Sequence, residues 1–308
     1  MPTVAPTGKK RRRFLRILLY LCFLLLLVGL VAVQLNWMAM RTPEADFSMR
    51  LRQLGQNLPA HFYQLPDTTG RQIHVVSVGA ADTLPLVVLV HGSPGSMDAY
   101  LDYLADTGLT KTFCLAALDR PGFGYTAGFA RPEPSLAAQA QAVLAVVQHL
   151  SPRRPVILVG HSMGGPVICR FAMDYPEAVA GLVIVAGSID PSQEEHPWWQ
   201  AAIDPPPLKW ITPKSLWTSN NEIKNLENEL KGMLPRWGNI RCPVRVLHAQ
   251  DDQLVPVANA DFARRMLAGN PDVQVQILPQ GNHFILWNHY RAVHDALLEL
   301  AETIKRSN

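Results

Sequence analysis

The distribution of apolar and polar positions divides the chain into a long apolar start, a polar connector and a body of short alternating segments. From Ile17 to Val33 no residue is charged, and the run stays apolar through Trp37 to Met40. Across 41–60, Met49, Leu51, Leu54 and Leu58 recur at near-helical spacing, which predicts a short helix along the domain or a membrane face. Phe62–Leu65 and Ile73–Val78, separated by Asp67-Thr68-Thr69-Gly70, predict an antiparallel hairpin. Leu84–Val90, Phe113–Leu118, Val156–Val159, Leu182–Ala186, Val244–His248 and Val273–Leu278 read as further strands. Val156–Val159 shows no alternation and so predicts a strand buried on both faces. Helices are expected over Met97–Leu104 with Ser96 as N-cap, from Ser135 to about Leu150, and over Pro166–Met173, Ala258–Leu267 and Tyr290–Lys305. Strand and helix in alternation imply an α/β fold, a parallel sheet with helices on both faces.

The rhythm breaks between 190 and 239. Pro191, Pro197, Pro205, Pro206, Pro207 and Pro213 occur there among Trp198, Trp199, Trp210 and Trp217, with a short helix expected over Asn220–Lys231. An aromatic-rich insertion of about 50 residues in a compact domain predicts a lid over a site rather than a passive loop.

Composition adds a membrane segment to this picture. The chain has 308 residues, 48% hydrophobic and 17% charged, which suits one large globular domain with something added. Lys9, Lys10, Arg11, Arg12, Arg13 and Arg16 precede the apolar run. As a helix, Ile17 to Trp37 would measure about 31 Å, enough to cross a bilayer core. The run is longer than a signal-peptide core and no good small-x-small pair follows it, so an uncleaved signal anchor is expected. The organisation is therefore a basic tail over 1–16, a span over 17–37, a connector over 38–60 and a globular domain over 61–308. The positive-inside rule leaves the basic end cytoplasmic and the domain on the exported side, the periplasm if the source is a Gram-negative bacterium. Net charge is +3, but beyond the first 16 residues 22 Lys and Arg face 25 Asp and Glu. The basic balance is thus a topology signal, and no nucleic-acid partner is expected. Cys22 lies in the span, and Cys114, Cys169 and Cys242 in apolar segments read as buried free thiols.

Candidate chemistry centres on Gly160-His161-Ser162-Met163-Gly164, which turns the chain from strand to helix. Such a corner holds one serine hydroxyl exposed at the carboxyl end of a parallel sheet, with glycines where strand and helix pass too closely for a Cβ. A serine hydroxyl needs a base within hydrogen-bond reach and a carboxylate to orient that base. Downstream, Asp251 and Asp252 follow one strand, and Gln280-Gly281-Asn282-His283-Phe284 follows another. No His, Cys, Asp and Glu spacing calls for a metal and no glycine loop would cradle a phosphate, so no cofactor is expected.

Gly160-His161-Ser162-Met163-Gly164-Gly165, Asp252-x-x-Val255-Pro256 and Gly281-Asn282-His283-Phe284 closely resemble motifs of the alpha/beta-hydrolase superfamily, over about residues 60–305. The resemblance implies a mostly parallel eight-stranded sheet and a serine hydrolase, carboxylesterase- or lipase-like, with Ser162, Asp252 and His283 as the triad. It selects Asp252, four before the proline, over Asp251; in some branches the acid follows the sixth strand, where this chain has Asp190. His91, His161 and His248 are the less expected bases. Acyl transfer places negative charge on the former carbonyl oxygen, and two donors must wait there. The N–H of Met163, at a helix N-terminus, is one. The other is Ser93 in His91-Gly92-Ser93-Pro94-Gly95, which resembles the HGxPG loop, since Pro94 has no N–H. Asp119–Gly124 resembles a structural D-x-P-G-x-G loop and is assigned no chemistry. Serine at 162 argues against epoxide-hydrolase and dehalogenase branches, which use aspartate there. Two other readings remain: a proline-iminopeptidase-like amidase whose cap carboxylates (Glu194, Glu195, Glu222, Glu227, Glu229) hold a free amine, and an inactive scaffold, which usually lacks a triad member.

Overall fold

The computed structural model describes residues 8–34, 40–206 and 208–307. Eight strands form one sheet: β1 Ala60–Pro66, β2 Gln72–Val78, β3 Leu86–Val90, β4 Cys114–Leu118, β5 Val156–His161, β6 Val179–Val185, β7 Val244–Ala249 and β8 Val273–Leu278. Their spatial order is β1-β2-β4-β3-β5-β6-β7-β8. The β1–β2 and β2–β4 pairs are antiparallel and the others are parallel. The period-two geometry of a strand sorts side chains to opposite faces. In β3, Leu86, Val88 and Val90 join one core while Val87 and Leu89 join the other. Each face therefore needs its own helices.

The main helices are α1 Gly8–Gln34, α2 Glu44–Gln53, α3 Leu136–Leu150, α4 Gly164–Asp174, α5 Lys214–Met233, α6 Ala258–Met266 and α7 Tyr290–Ser307. Residues of α3, α4 and α6 fill the first core, and residues of α2 and α7 fill the second. The α/β fold expected from the hydrophobic rhythm is the fold observed.

Three local differences have physical causes. The buried residues of α2 are Phe47 and Leu51, one helical turn apart, and Met49, Leu54 and Leu58 are exposed. The expected helix at 220–231 starts earlier, at Lys214. Ser215, Thr218, Ser219 and Asn220 are weak helix formers, but all four are buried, and tertiary packing overrides their propensity. An additional helix, Thr107–Thr112, is capped by the Asp106 carboxylate, which accepts from the Gly108 and Leu109 N–H groups.

Within α1, Arg11–Val31 is long and apolar enough to cross a membrane, and none of its side chains is buried. The expected end of the span at Trp37 and the first seven residues lie outside the described residues, as does Pro207 of the insertion. The helix α1 lies against a short helix in that insertion, Leu208–Ile211.

Candidate active site

The sheet's carboxyl end gathers the residues that the motifs singled out. β5 runs into α4 through Ser162, whose φ of +53° is a left-handed conformation rare for serine. The Ser162 N–H donates to the Val185 carbonyl at 3.0 Å, which ties the corner to β6. The flanking glycines are required sterically. A Cβ on Gly160 would sit 2.4 Å from the Gly164 carbonyl oxygen, and one on Gly164 would sit 2.1 Å from that of Val90.

His283 follows β8 and Asp252 follows β7. The His283 Nδ1 lies 2.9 Å from Asp252 Oδ2. An ionised carboxylate only accepts, so Nδ1 carries the proton and Nε2 is free to act as a base. Asp251 is exposed, and Asp190 accepts instead from the Ser192 N–H and hydroxyl at 2.9 and 2.7 Å. Of the three carboxylates left open by the sequence, Asp252 is the one that meets His283. Burial acts to raise the Asp252 carboxyl, but hydrogen bonds from His248, His283 and the Val255 N–H outweigh it and hold it well below the usual carboxylate range.

Ser162, His283, Ser93 and Met163 line one cavity of about 850 Å³. The loop carrying Ser93 passes close to the corner, since a Cβ on Gly92 would come within 3.0 Å of the Ser162 Cβ. Met40, Trp199, Leu254 and Trp287 add apolar wall, and Glu194 and Glu195 add carboxylates. Trp198 and Trp210 stand outside it, 82% and 61% exposed. Among the described residues, no group of three or more His, Cys, Asp or Glu is placed to hold a metal ion.

The other histidines have supporting positions. His91 Nδ1 donates to the Gly92 carbonyl at 2.6 Å, and its Nε2 accepts from the Arg120 N–H at 2.9 Å. His161 Nε2 donates to the His283 carbonyl at 3.0 Å, and its ring packs between those of His283 and Trp287 at 5.0 and 5.1 Å. His248 Nε2 donates to the Val255 carbonyl at 2.8 Å and stands 3.5 Å from Asp252 Oδ2. Its one signal in the sequence was its place at the end of β7, four before Asp252.

Burial lowers the pKa of His91 to about 3 and that of His161 to about 4. Unfolded, both would titrate near 6.5. Between about pH 6.5 and 4 the unfolded chain therefore binds protons that the native one does not, so stability falls as pH drops through that window. Asp119 works in the same sense at lower pH: burial raises its carboxyl, but bonds from His74 and the Tyr125 and Met97 N–H groups hold it below its ordinary value. His74 works the opposite way: burial acts to lower it, but its bonds to Asp119 and Glu44 raise it, so it favours the native state as pH drops. With two lowered histidines against one raised, the melting temperature is expected to be lower at pH 4 than at pH 7 in a pH-series thermal melt; a higher value at pH 4 would contradict these assignments.

Comparison with known proteins agrees with this architecture. The family model described as alpha/beta hydrolase fold matches residues 85–210. A Pseudomonas hydrolase of 2-hydroxy-6-oxononadienedioate and 2-hydroxy-6-oxononatrienedioate is 26% identical over 257 residues, covering 70% of this chain and 87% of its own. Among solved structures, an esterase from Exiguobacterium antarcticum superposes with a TM-score of 0.61 at 19% identity, over 79% of this chain and 98% of its own. A bacterial membrane phospholipase A gives a TM-score of 0.59 at 21% identity, over 90% and 98%. By sheet order, by the serine corner and by the family model over 85–210, the chain has the alpha/beta-hydrolase fold.

Proposed function

We propose that this protein is a membrane-anchored serine hydrolase that cleaves a carboxylic ester or a related acyl bond. The observation that carries the reading is the Asp252–His283 pair, whose histidine lines the cavity shared with Ser162. Ser162 Oγ attacks the acyl carbonyl while its proton passes to His283 Nε2. The N–H groups of Ser93 and Met163 receive the developing oxyanion, and Asp252 stabilises the imidazolium. The leaving alcohol takes the proton from His283 as the acyl-enzyme forms. Water, activated by the same nitrogen, then adds to the acyl-enzyme, and the carboxylic acid departs with Ser162 restored.

The insertion over about 190–239 is the lid in this reading. Met40, six residues past the end of α1, lines the cavity. Six residues reach at most about 20 Å, which keeps the mouth close to the bilayer if α1 spans it. The exposed tryptophans of the lid and the apolar cavity wall support an acyl substrate. The similarity to hydrolases acting on small molecules supports the reaction type.

A second reading, a small-amide or peptide hydrolase that holds a free amine, is favoured by Glu194 and Glu195 in the cavity wall. Glu194 accepts from the Ser188 hydroxyl, and three other cap carboxylates are engaged by charged or backbone groups: Glu222 with Arg120, Glu227 with His196 and Lys231, and Glu229 with the Leu136 N–H. Labelling of the membrane fraction by a fluorophosphonate probe tests the activated serine. Turnover of p-nitrophenyl butyrate against an aminoacyl arylamide separates the readings. Labelling and faster ester turnover are expected; an unlabelled, folded wild type would sink the enzyme reading, and arylamide preference would favour the second one.

A further inference from the structure

Arg120 and Glu222 form an ion pair whose side chains are 1% and 0% exposed, and neither has a part in the chemistry above. Arg120 belongs to the loop after β4, and Glu222 to the middle of α5 in the insertion. Arg120 Nη1 and Nη2 donate to the two Glu222 carboxylate oxygens at 3.0 and 3.1 Å. The same guanidinium donates to the carbonyls of His91 and Gly92 at 2.9 and 3.0 Å. Glu222 also accepts from Gln139 Nε2 of α3 at 3.0 Å and from the Ser93 hydroxyl at 2.7 Å. A buried ion pair contributes little net stability, because desolvation offsets much of the attraction. A fixed guanidinium fork does supply direction. Here it joins the backbone immediately before Ser93 to a carboxylate that also holds the Ser93 side chain.

We propose that Glu222 is a positioning residue: locked by Arg120, it fixes Ser93 from the side-chain end and so aims the Ser93 N–H at the reacting carbonyl, coupling the insertion to the oxyanion loop. The proposal rests on the reading of Ser93 as an oxyanion donor. The helix α5 is held at Thr218, Ser219, Asn220 and Glu222, all buried.

The test uses the detergent-solubilised full chain, with kcat and KM measured on p-nitrophenyl butyrate. Ser93→Ala keeps the backbone donor and removes only the hydroxyl. It is expected to lower kcat about 10-fold with KM within about twofold, a fraction of the 100-fold or more lost when an oxyanion donor is deleted. Ser93→Thr, which retains a hydroxyl, restores most of the rate. Glu222→Ala lowers kcat at least as far, and adding Ser93→Ala to it lowers kcat no further, because both variants break one linkage. Affinity for a boronic acid that mimics the tetrahedral intermediate falls in step with kcat/KM, which a merely structural role would not produce. Unchanged kcat in Ser93→Ala, or losses that multiply in the double variant, overturns the proposal. Glu222→Ala strands a buried cation, so its folding is checked by thermal melting; if it does not fold, the Ser93→Ala and Ser93→Thr comparison still decides. A wild type that neither turns over the ester nor takes up the fluorophosphonate probe instead counts against the hydrolase reading itself.

Discussion

Ser162→Ala is expected to reduce ester turnover by at least about 10⁴-fold and to abolish fluorophosphonate labelling, with the melting temperature little changed. Removing one Oγ at the corner removes the proposed nucleophile but leaves the backbone that holds it. The Ser162 N–H bond to Val185 and the close approach of Gly160 and Gly164 do not depend on the hydroxyl. Alanine at the observed φ of +53° is no more strained than serine. Whatever rate remains would come from binding and the two N–H donors acting on water, so a residual activity above background is compatible with the mechanism. Turnover within tenfold of wild type is not, and would move the chemistry to another residue.

Asp252→Asn should cost roughly 10³- to 10⁴-fold in kcat through the tautomer of His283. The carboxylate fixes the proton on Nδ1 at 2.9 Å. An amide can present its N–H there instead, which favours a proton on Nε2 and removes the lone pair that must accept from Ser162. The same change at Asp251, which is exposed, or at Asp190, which is occupied by Ser192, is expected to leave kcat within about twofold. Measuring kcat for the three asparagine variants on one ester separates the candidates. A large loss at Asp190 with a small one at Asp252 would reassign the acid. Asp252→Asn also loses the Oδ2 acceptor that His248 faces, while its remaining Oδ1 still accepts from the Leu254 and Val255 N–H groups, so the folding of each variant is checked by thermal melting.

The line between what was legible in the chain and what was not follows the range of the interactions. Short apolar runs and period-3.6 patterns are local features of the chain, and the apolar runs located every strand of the sheet. The serine corner was legible for the same reason, because a left-handed residue between a strand and a helix requires glycines at fixed offsets. Asp252 and His283 stood out by their loops and their order, although the 2.9 Å bond between residues 31 apart needed the fold to bring the ends of β7 and β8 together.

Thr218 and Asn220 illustrate the limit. By propensity they end a helix, yet they lie inside the 20-residue α5 because the domain surface covers them. Glu222 is a sharper case. In the sequence it was one cap carboxylate among five, with nothing local to mark it. Its partners are 102, 83 and 129 positions away at Arg120, Gln139 and Ser93. No spacing rule connects them.

By itself, then, the sequence determined the α/β layering, the serine corner, the order of its candidate partners and a helix of membrane-spanning length, since each rests on contacts between near neighbours or on a short motif. Only the tertiary structure decided which aspartate meets His283, which histidines stay neutral and buried, and which carboxylate ties the insertion to the loop of Ser93. Those outcomes depend on burial and on charges brought together across the fold, and a linear pattern carries neither.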